Sequence, residues 1–261
     1  MRVAVCLSGQ PRGALKTFPY IYKNIIEPNN ADVFIHMNYD ENNRYMEKTH
    51  LDNGICICEP EIDKKIIDLY KPIHYLVENP KNMFKPNINF AEKRLENVMK
   101  MNKHRNFSRD ECKKHIFKQY HSMCYSIYKC NELKETYANE NGFVYDYVVR
   151  LRFDALPYDP IYILDKDPNF IYYLNLNHPD QLISDWFNFG SNSIMNIYSS
   201  IYLNTEYLNS FKFFKKDDRI ENTFEPSDIC SGYAEFMVRD LMHLYKIPKK
   251  PINSNLVLVY E

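Results

Sequence analysis

Two short segments of this chain bring together residue types that do chemistry. The first is Cys6-Leu7-Ser8-Gly9-Gln10-Pro11-Arg12, where an apolar run beginning at Val3 breaks into a polar turn. Gly9 lets the backbone approach a ligand closely. Ser8 and Gln10 offer neutral hydrogen bonds, and Arg12 offers a planar fork that matches phosphate oxygens. At the carboxyl end of a first parallel strand, such a turn lies where open α/β sheets bind ligands, and a nucleotide suits these parts best. The plain alternative is a strand-to-helix turn with a surface arginine.

The second segment is Tyr145-Asp146-Tyr147-Val148-Val149-Arg150-Leu151-Arg152-Phe153-Asp154. Strand alternation puts Arg150, Arg152 and Asp154 on one face. A buried face holds three charges only where they serve one another or a ligand. An aspartate at a strand end beside arginines suits a hard divalent cation bridging a diphosphate, with the guanidinium groups on its oxygens. An Arg–Asp ion pair closing the sheet edge is the structural alternative.

Both segments need strands and helices to present them. Residues 3–7 read as a buried strand. Residues 13–26 read as a helix with Leu15, Phe18, Ile21, Tyr22 and Ile25 at helical spacing. A second strand is expected at 31–37, a short helix at 62–70 and a strand at 73–77. Residues 78–109, poor in apolar pattern and rich in Asn, Lys and Pro, read as an excursion or lid over a cleft. A long helix is expected from 108 to 138. Ser108 and Glu111 make its capping box, and Ile116, Tyr120, Met123, Ile127, Cys130 and Leu133 form its apolar stripe. Residues 145–152 read as the central strand and 171–174 as another. Residues 186–190 precede a helix near Ser193. A terminal helix is expected at 226–245, with Phe236, Val238, Leu241 and Leu244 inward. This order predicts a mixed α/β fold, with a mainly parallel sheet flanked by helices.

Composition narrows the function. A chain of 261 residues with 45% hydrophobic and 15% aromatic content suffices for one α/β domain. Its net charge of −1 provides no basic field, so nucleic acid is not an expected partner. Of seven cysteines only Cys56 and Cys58 are close, and no second pair answers them with zinc-type spacing. Reduced, buried thiols in a cytosolic compartment are expected. The sequence shows no secretory leader pattern and no apolar window long enough for a membrane span, so a soluble, cytoplasmic protein is expected.

Taken together, the two segments resemble GT-A-fold glycosyltransferases. The narrower resemblance is to small "CLSGQPR"-type transferases of large DNA viruses, such as those building chlorovirus capsid glycans, and of bacterial polysaccharide clusters. A third matching piece is Asp185-Trp186-Phe187-Asn188-Phe189-Gly190. The resemblance implies a single GT-A-like (Rossmann-like) domain over 1–261, with residues 1–160 forming the nucleotide-sugar half and 161–261 the acceptor half. It also implies a nucleotide diphosphate-sugar donor, UDP-linked by family frequency, held by Ser8, Gly9, Gln10, Arg12, Arg150 and Arg152. Mn²⁺ or Mg²⁺ would sit on Asp154, the aspartate of a DxD-type motif, with His243 as a late ligand. Here the motif reads Arg152-Phe153-Asp154, so an arginine replaces the first aspartate. Either one protein carboxylate holds the metal, or Arg152 partly replaces the metal as countercharge. Asp159 is a second carboxylate nearby, with a turn role before Pro160 as its alternative.

Glycosyl transfer leaves growing negative charge on the departing diphosphate, so preorganised cations are the main catalytic need. An inverting enzyme also needs a carboxylate base on the acceptor hydroxyl. Asp185 is the first choice for that base and Glu235 the second. The acceptor implied is a glycan or glycoprotein reachable from the cytosol, in a host cell or virion if the source is viral. Trp186, Phe187, Phe189, Tyr172 and Tyr173 are candidates to stack on sugar faces. Two other classes stay open. One is a nucleotidyltransferase, although Ser8–Arg12 holds no lysine and no G-x-x-x-x-G-K-[ST] motif occurs. The other is a non-catalytic carbohydrate- or nucleotide-binding protein on the same fold.

Overall fold

Val3–Gly9 forms strand β1, buried as far as Ser8 because its apolar run leaves no face for solvent. The computed structural model describes residues 1–47, 55–81, 99, 108–111, 120–174, 183–209 and 234–259. After β1 come helix α1 (Ala14–Ile21), strand β2 (Asp32–Asn38), the hairpin strands β3 (Tyr45–Glu47) and β4 (Ile55–Ile57), helix α2 (Ile62–Tyr70) and strand β5 (His74–Glu78). Helix α3 (Ser122–Glu140) leads to β6 (Tyr147–Leu151), β7 (Ala155–Pro157), β8 (Ile171–Leu174) and β9 (Phe187–Ser191). Helices α4 (Asn192–Ser199), α5 (Thr205–Asn209) and α6 (Ala234–Leu244) precede β10 (Lys249–Ile252) and β11 (Leu256–Leu258).

Seven strands make one sheet in the order β10-β8-β9-β6-β1-β2-β5. Strands from both 1–160 and 161–261 contribute to it. β1 pairs in parallel with β2 and with β6, β2 with β5, and β8 with β10, while β9 runs antiparallel between β6 and β8. This is the mixed, mainly parallel α/β architecture that the sequence predicts.

Side-chain alternation divides the core. Val5, Leu7, Val33, Ile35, Val149, Leu151, Phe187 and Phe189 pack with α1 and α2 on one face. Ala4, Cys6, Phe34, Val148, Ile171 and Tyr173 pack with α3, α4 and α6 on the other. The first two crossovers therefore carry the chain outward from β1 through α1 and α2. The third returns it over the opposite face, through α3, to β6 on the other side of β1. The strand order reverses between β1 and β6, and the crevice outside their carboxyl ends is where such sheets place a ligand.

Two of the expected helices, 108–138 and 226–245, are described only in part. Ser108 and Glu111 do exchange capping bonds, with the Ser108 N–H 2.8 Å from Glu111 Oε2 and the Glu111 N–H 3.3 Å from Ser108 Oγ. Residues 112–119, including Ile116, lie outside the described residues. α6 buries Val238 and Leu241, but Leu244 is 38% exposed because the helix ends there and the chain turns away at Lys246. Residues 226–233 and the Phe236 side chain lie outside the described residues. The five described cysteines, Cys6, Cys56, Cys58, Cys124 and Cys130, are buried and take part in no disulfide among the described residues. Among the described residues, no helix is long and apolar enough to cross a membrane.

Candidate functional site

The register of the sheet assembles the site. β1 and β6 end side by side, so the turn after Gly9 meets the turn after Leu151. Because β9 is antiparallel to β6, with Leu151 opposite Phe187, the residues before β9 arrive at the same edge. The Arg152 N–H donates to the Trp186 carbonyl at 3.1 Å and fixes that approach.

Four charged side chains join there. Asp154 is 2% exposed. Its Oδ2 accepts from Arg12 Nε at 3.0 Å and Arg152 Nη2 at 2.7 Å, and its Oδ1 accepts from Arg152 Nε at 2.8 Å. Arg152 Nη1 lies 3.5 Å from Asp185 Oδ2. Burial alone would push the Asp154 carboxyl up. The charges of Arg152 and Arg12, with their hydrogen bonds, outweigh it and hold the pKa below the ordinary 3.8. Gly13 makes room for this joint. Its φ is +68°, and a Cβ there would lie 2.6 Å from the Val259 carbonyl oxygen and 3.4 Å from Asp154 Cβ. The Val259 N–H in turn donates to the Asp154 carbonyl at 2.8 Å.

The remaining residues of the first turn take different positions. Gly9 has φ +127°, a conformation other residues rarely adopt, and open space lies where a Cβ would project. Gln10 is exposed. Ser8 is buried, and its Oγ has no partner among the described residues.

Arg150 departs from the expectation of one shared charged face. β6 stops at Leu151, so strand alternation no longer governs Arg152 and Asp154. Arg150 belongs to the α3-side face, between Cys6 on β1 and Asn188 on β9. It makes no polar contact with Asp154. Its exposure is 2%, and Nε, Nη1 and Nη2 are all without a hydrogen-bond partner among the described residues.

Other expected site residues are dispersed. Asp159 accepts from Asn255 Nδ2 at 3.0 Å on the surface. His243 is exposed in the last turn of α6 and shares no described contact with Asp154. Glu235 is on α6, and its side chain lies outside the described residues. Phe187, Phe189, Tyr172 and Tyr173 do not face a cleft. They are buried in the two cores, where Tyr172 stacks on Phe189 with ring centroids 4.7 Å apart. Trp186 is partly buried against the same cluster.

Sequence reasoning missed two polar groups on the α3-side face. Asn188 donates to the Ser184 carbonyl at 2.7 Å and to the Tyr198 hydroxyl at 3.2 Å. His36 on β2 is buried, with Nδ1 2.6 Å from Ser126 Oγ and Nε2 2.8 Å from Glu78 Oε2. Burial lowers its pKa below the ordinary 6.5, against the opposing pull of Glu78. The signal was present in both cases, as a polar residue alternating into an otherwise apolar strand.

A divalent cation on Asp154 does not fit this donor set. Both carboxylate oxygens are engaged by guanidinium groups, and among the described residues no three His, Cys, Asp or Glu side chains converge as ligands.

No protein-family model matches the sequence, and no curated protein matches it. The fold is similar to that of core-mannan synthase A (CmsA/Ktr4) from Aspergillus fumigatus, solved in a Mn/GDP form. The identity is 11% over 99% of this chain and 75% of that one, with a TM-score of 0.53. The mannosyltransferase Ktr4p from S. cerevisiae, solved with GDP, aligns over 92% of this chain and 66% of that one, at 12% identity and a TM-score of 0.47. What the first likeness carries is the fold: a mixed α/β sheet flanked by helices.

Proposed function

We propose that this protein is a glycosyltransferase that moves a monosaccharide from a nucleotide diphosphate-sugar to a glycan or glycoprotein. The observation that carries this reading is the Arg12–Asp154–Arg152–Asp185 chain, placed at the carboxyl edge of the sheet where its strand order reverses. Two guanidinium groups held rigid by one carboxylate form a preorganised countercharge for a diphosphate leaving group. Asp154 is then a positioning residue. Its carboxylate fixes the two arginines in place of the metal that the sequence resemblance implies.

In the reaction, the acceptor oxygen forms a bond to the anomeric carbon while the bond from that carbon to the donor phosphate breaks. The electron pair leaves on the nucleoside diphosphate, against Arg12 and Arg152. Asp185 takes the acceptor proton as base, which favours inversion. Ser8, Gly9 and Gln10 line the nucleotide. UDP is the first base to test. GDP is the second, because the A. fumigatus neighbour was solved with it.

The test is a panel of UDP- and GDP-sugars incubated with the protein, with free nucleoside diphosphate measured. Release from at least one donor supports the enzyme. Tight binding without release from any would favour the binding-module alternative. Neither binding nor release would overturn the reading.

A further inference from the structure

The described ion pairs at the sheet edge join two arginines, Arg12 and Arg152, to two aspartates, Asp154 and Asp185. Arg150 takes part in none of these pairs. It cannot shed its proton, and a buried guanidinium without a partner is strongly disfavoured. Two further orphans lie on the same sheet face. Asn188 stands directly across from Arg150 in the β6–β9 register, and its Oδ1 is buried without a partner among the described residues. Ser8 lies two residues beyond Cys6, which is the β1 partner of Arg150, and its Oγ is likewise buried and unpartnered. The Asn188 amide is fixed by its bonds to Ser184 and Tyr198, so its oxygen stays turned from both.

Cys124 and Tyr198, both fully buried, feel the Arg150 charge together with that of Asp185. Asp185, the carboxylate whose charge reaches the same two side chains, is already engaged by Arg152. Among the described residues, three guanidinium nitrogens of Arg150 stand there without partners, against the two unpartnered oxygens of Ser8 and Asn188.

We propose that Arg150, with Ser8 and Asn188, forms a buried anion subsite one sheet row beneath the diphosphate clamp, and that it takes a carboxylate carried by the transferred sugar. The proposal rests on the donor-binding reading above. The diphosphate is already met by Arg12 and Arg152 at the edge, so the group that reaches the deeper row is the one attached to it. A uronic-acid-type sugar supplies a planar anion for the guanidinium, and its hydroxyls complement Ser8 Oγ and Asn188 Oδ1.

The experiment titrates UDP, UDP-glucose and UDP-glucuronate calorimetrically, with GDP counterparts if UDP does not bind. The proteins are wild type, Arg150→Met and Arg150→Lys, each melted thermally with and without ligand. The wild type is expected to bind the uronate about tenfold or more tighter than the neutral sugar. Arg150→Met should erase that preference while leaving the affinity for UDP alone unchanged. Its ligand-free melting temperature should hold or rise, because an uncompensated charge is gone. Arg150→Lys should keep part of the preference. Equal affinity of the wild type for both sugars would overturn the proposal. So would an equal loss of all three ligands in Arg150→Met, which would assign the subsite to phosphate. A lowered melting temperature with unchanged preference would make Arg150 structural and overturn it as well. Failure of any nucleotide to bind the wild type would overturn the glycosyltransferase reading itself.

Discussion

Arg12 and Asp154, 142 positions apart in sequence, meet at 3.0 Å where β1 and β6 end side by side. Arg152 closes on the same carboxylate from two residues away. One buried aspartate thus fixes two guanidinium groups at the point where the sheet reverses its strand order. The donor-binding account rests on that joint.

Asp154→Asn removes the anion that both arginines share. Breaking a largely buried pair on one side leaves the partner charges uncompensated, so a loss of about 2–4 kcal/mol in urea-unfolding stability is expected. The pH dependence should follow. The folded pKa of Asp154 lies below its ordinary 3.8, so its contribution is fully present above that value. It is lost as pH falls through the lower folded pKa. Wild type should therefore lose more stability than the variant as pH drops below about 4. Parallel pH profiles would remove Asp154 from that role.

The joint shows how far the sequence could be read. The strands β1, β2, β6 and β8 were legible because each is a mostly apolar run that is almost wholly buried, and α2 because its apolar residues keep helical spacing. Both motif segments were legible too. Their mutual geometry was not, since it depends on pairings between residues more than a hundred positions apart. The antiparallel run of β9, which carries Asp185 to Arg152, is non-local in the same way. Arg150 was misplaced because alternation was extended past Leu151, where the strand ends. Phe187 and Phe189 were offered to a sugar because composition does not tell which face of a strand is core.

Asp185→Asn should keep donor binding and lose transfer if Asp185 is the base. Calorimetry would show donor affinity within about twofold of wild type, while product formation falls by about a hundredfold or more. Loss of both together would make Asp185 a structural partner of Arg152 instead.

Donor binding should not require a divalent cation, because Asp154 already has both oxygens on arginines. Titrations in excess EDTA and in millimolar Mn²⁺ should give the same affinity within about twofold. A steep gain with Mn²⁺ would show that the carboxylate exchanges its arginines for metal when donor binds.

The most direct test of the central claim is calorimetric titration of UDP and GDP into wild type and Arg12→Ala. The account predicts binding of at least one nucleotide by the wild type, weakened by about 1.5–3 kcal/mol in the variant through loss of a charge-assisted hydrogen bond to phosphate. Equal affinity in the two proteins, or no binding of either nucleotide to the wild type, would contradict it.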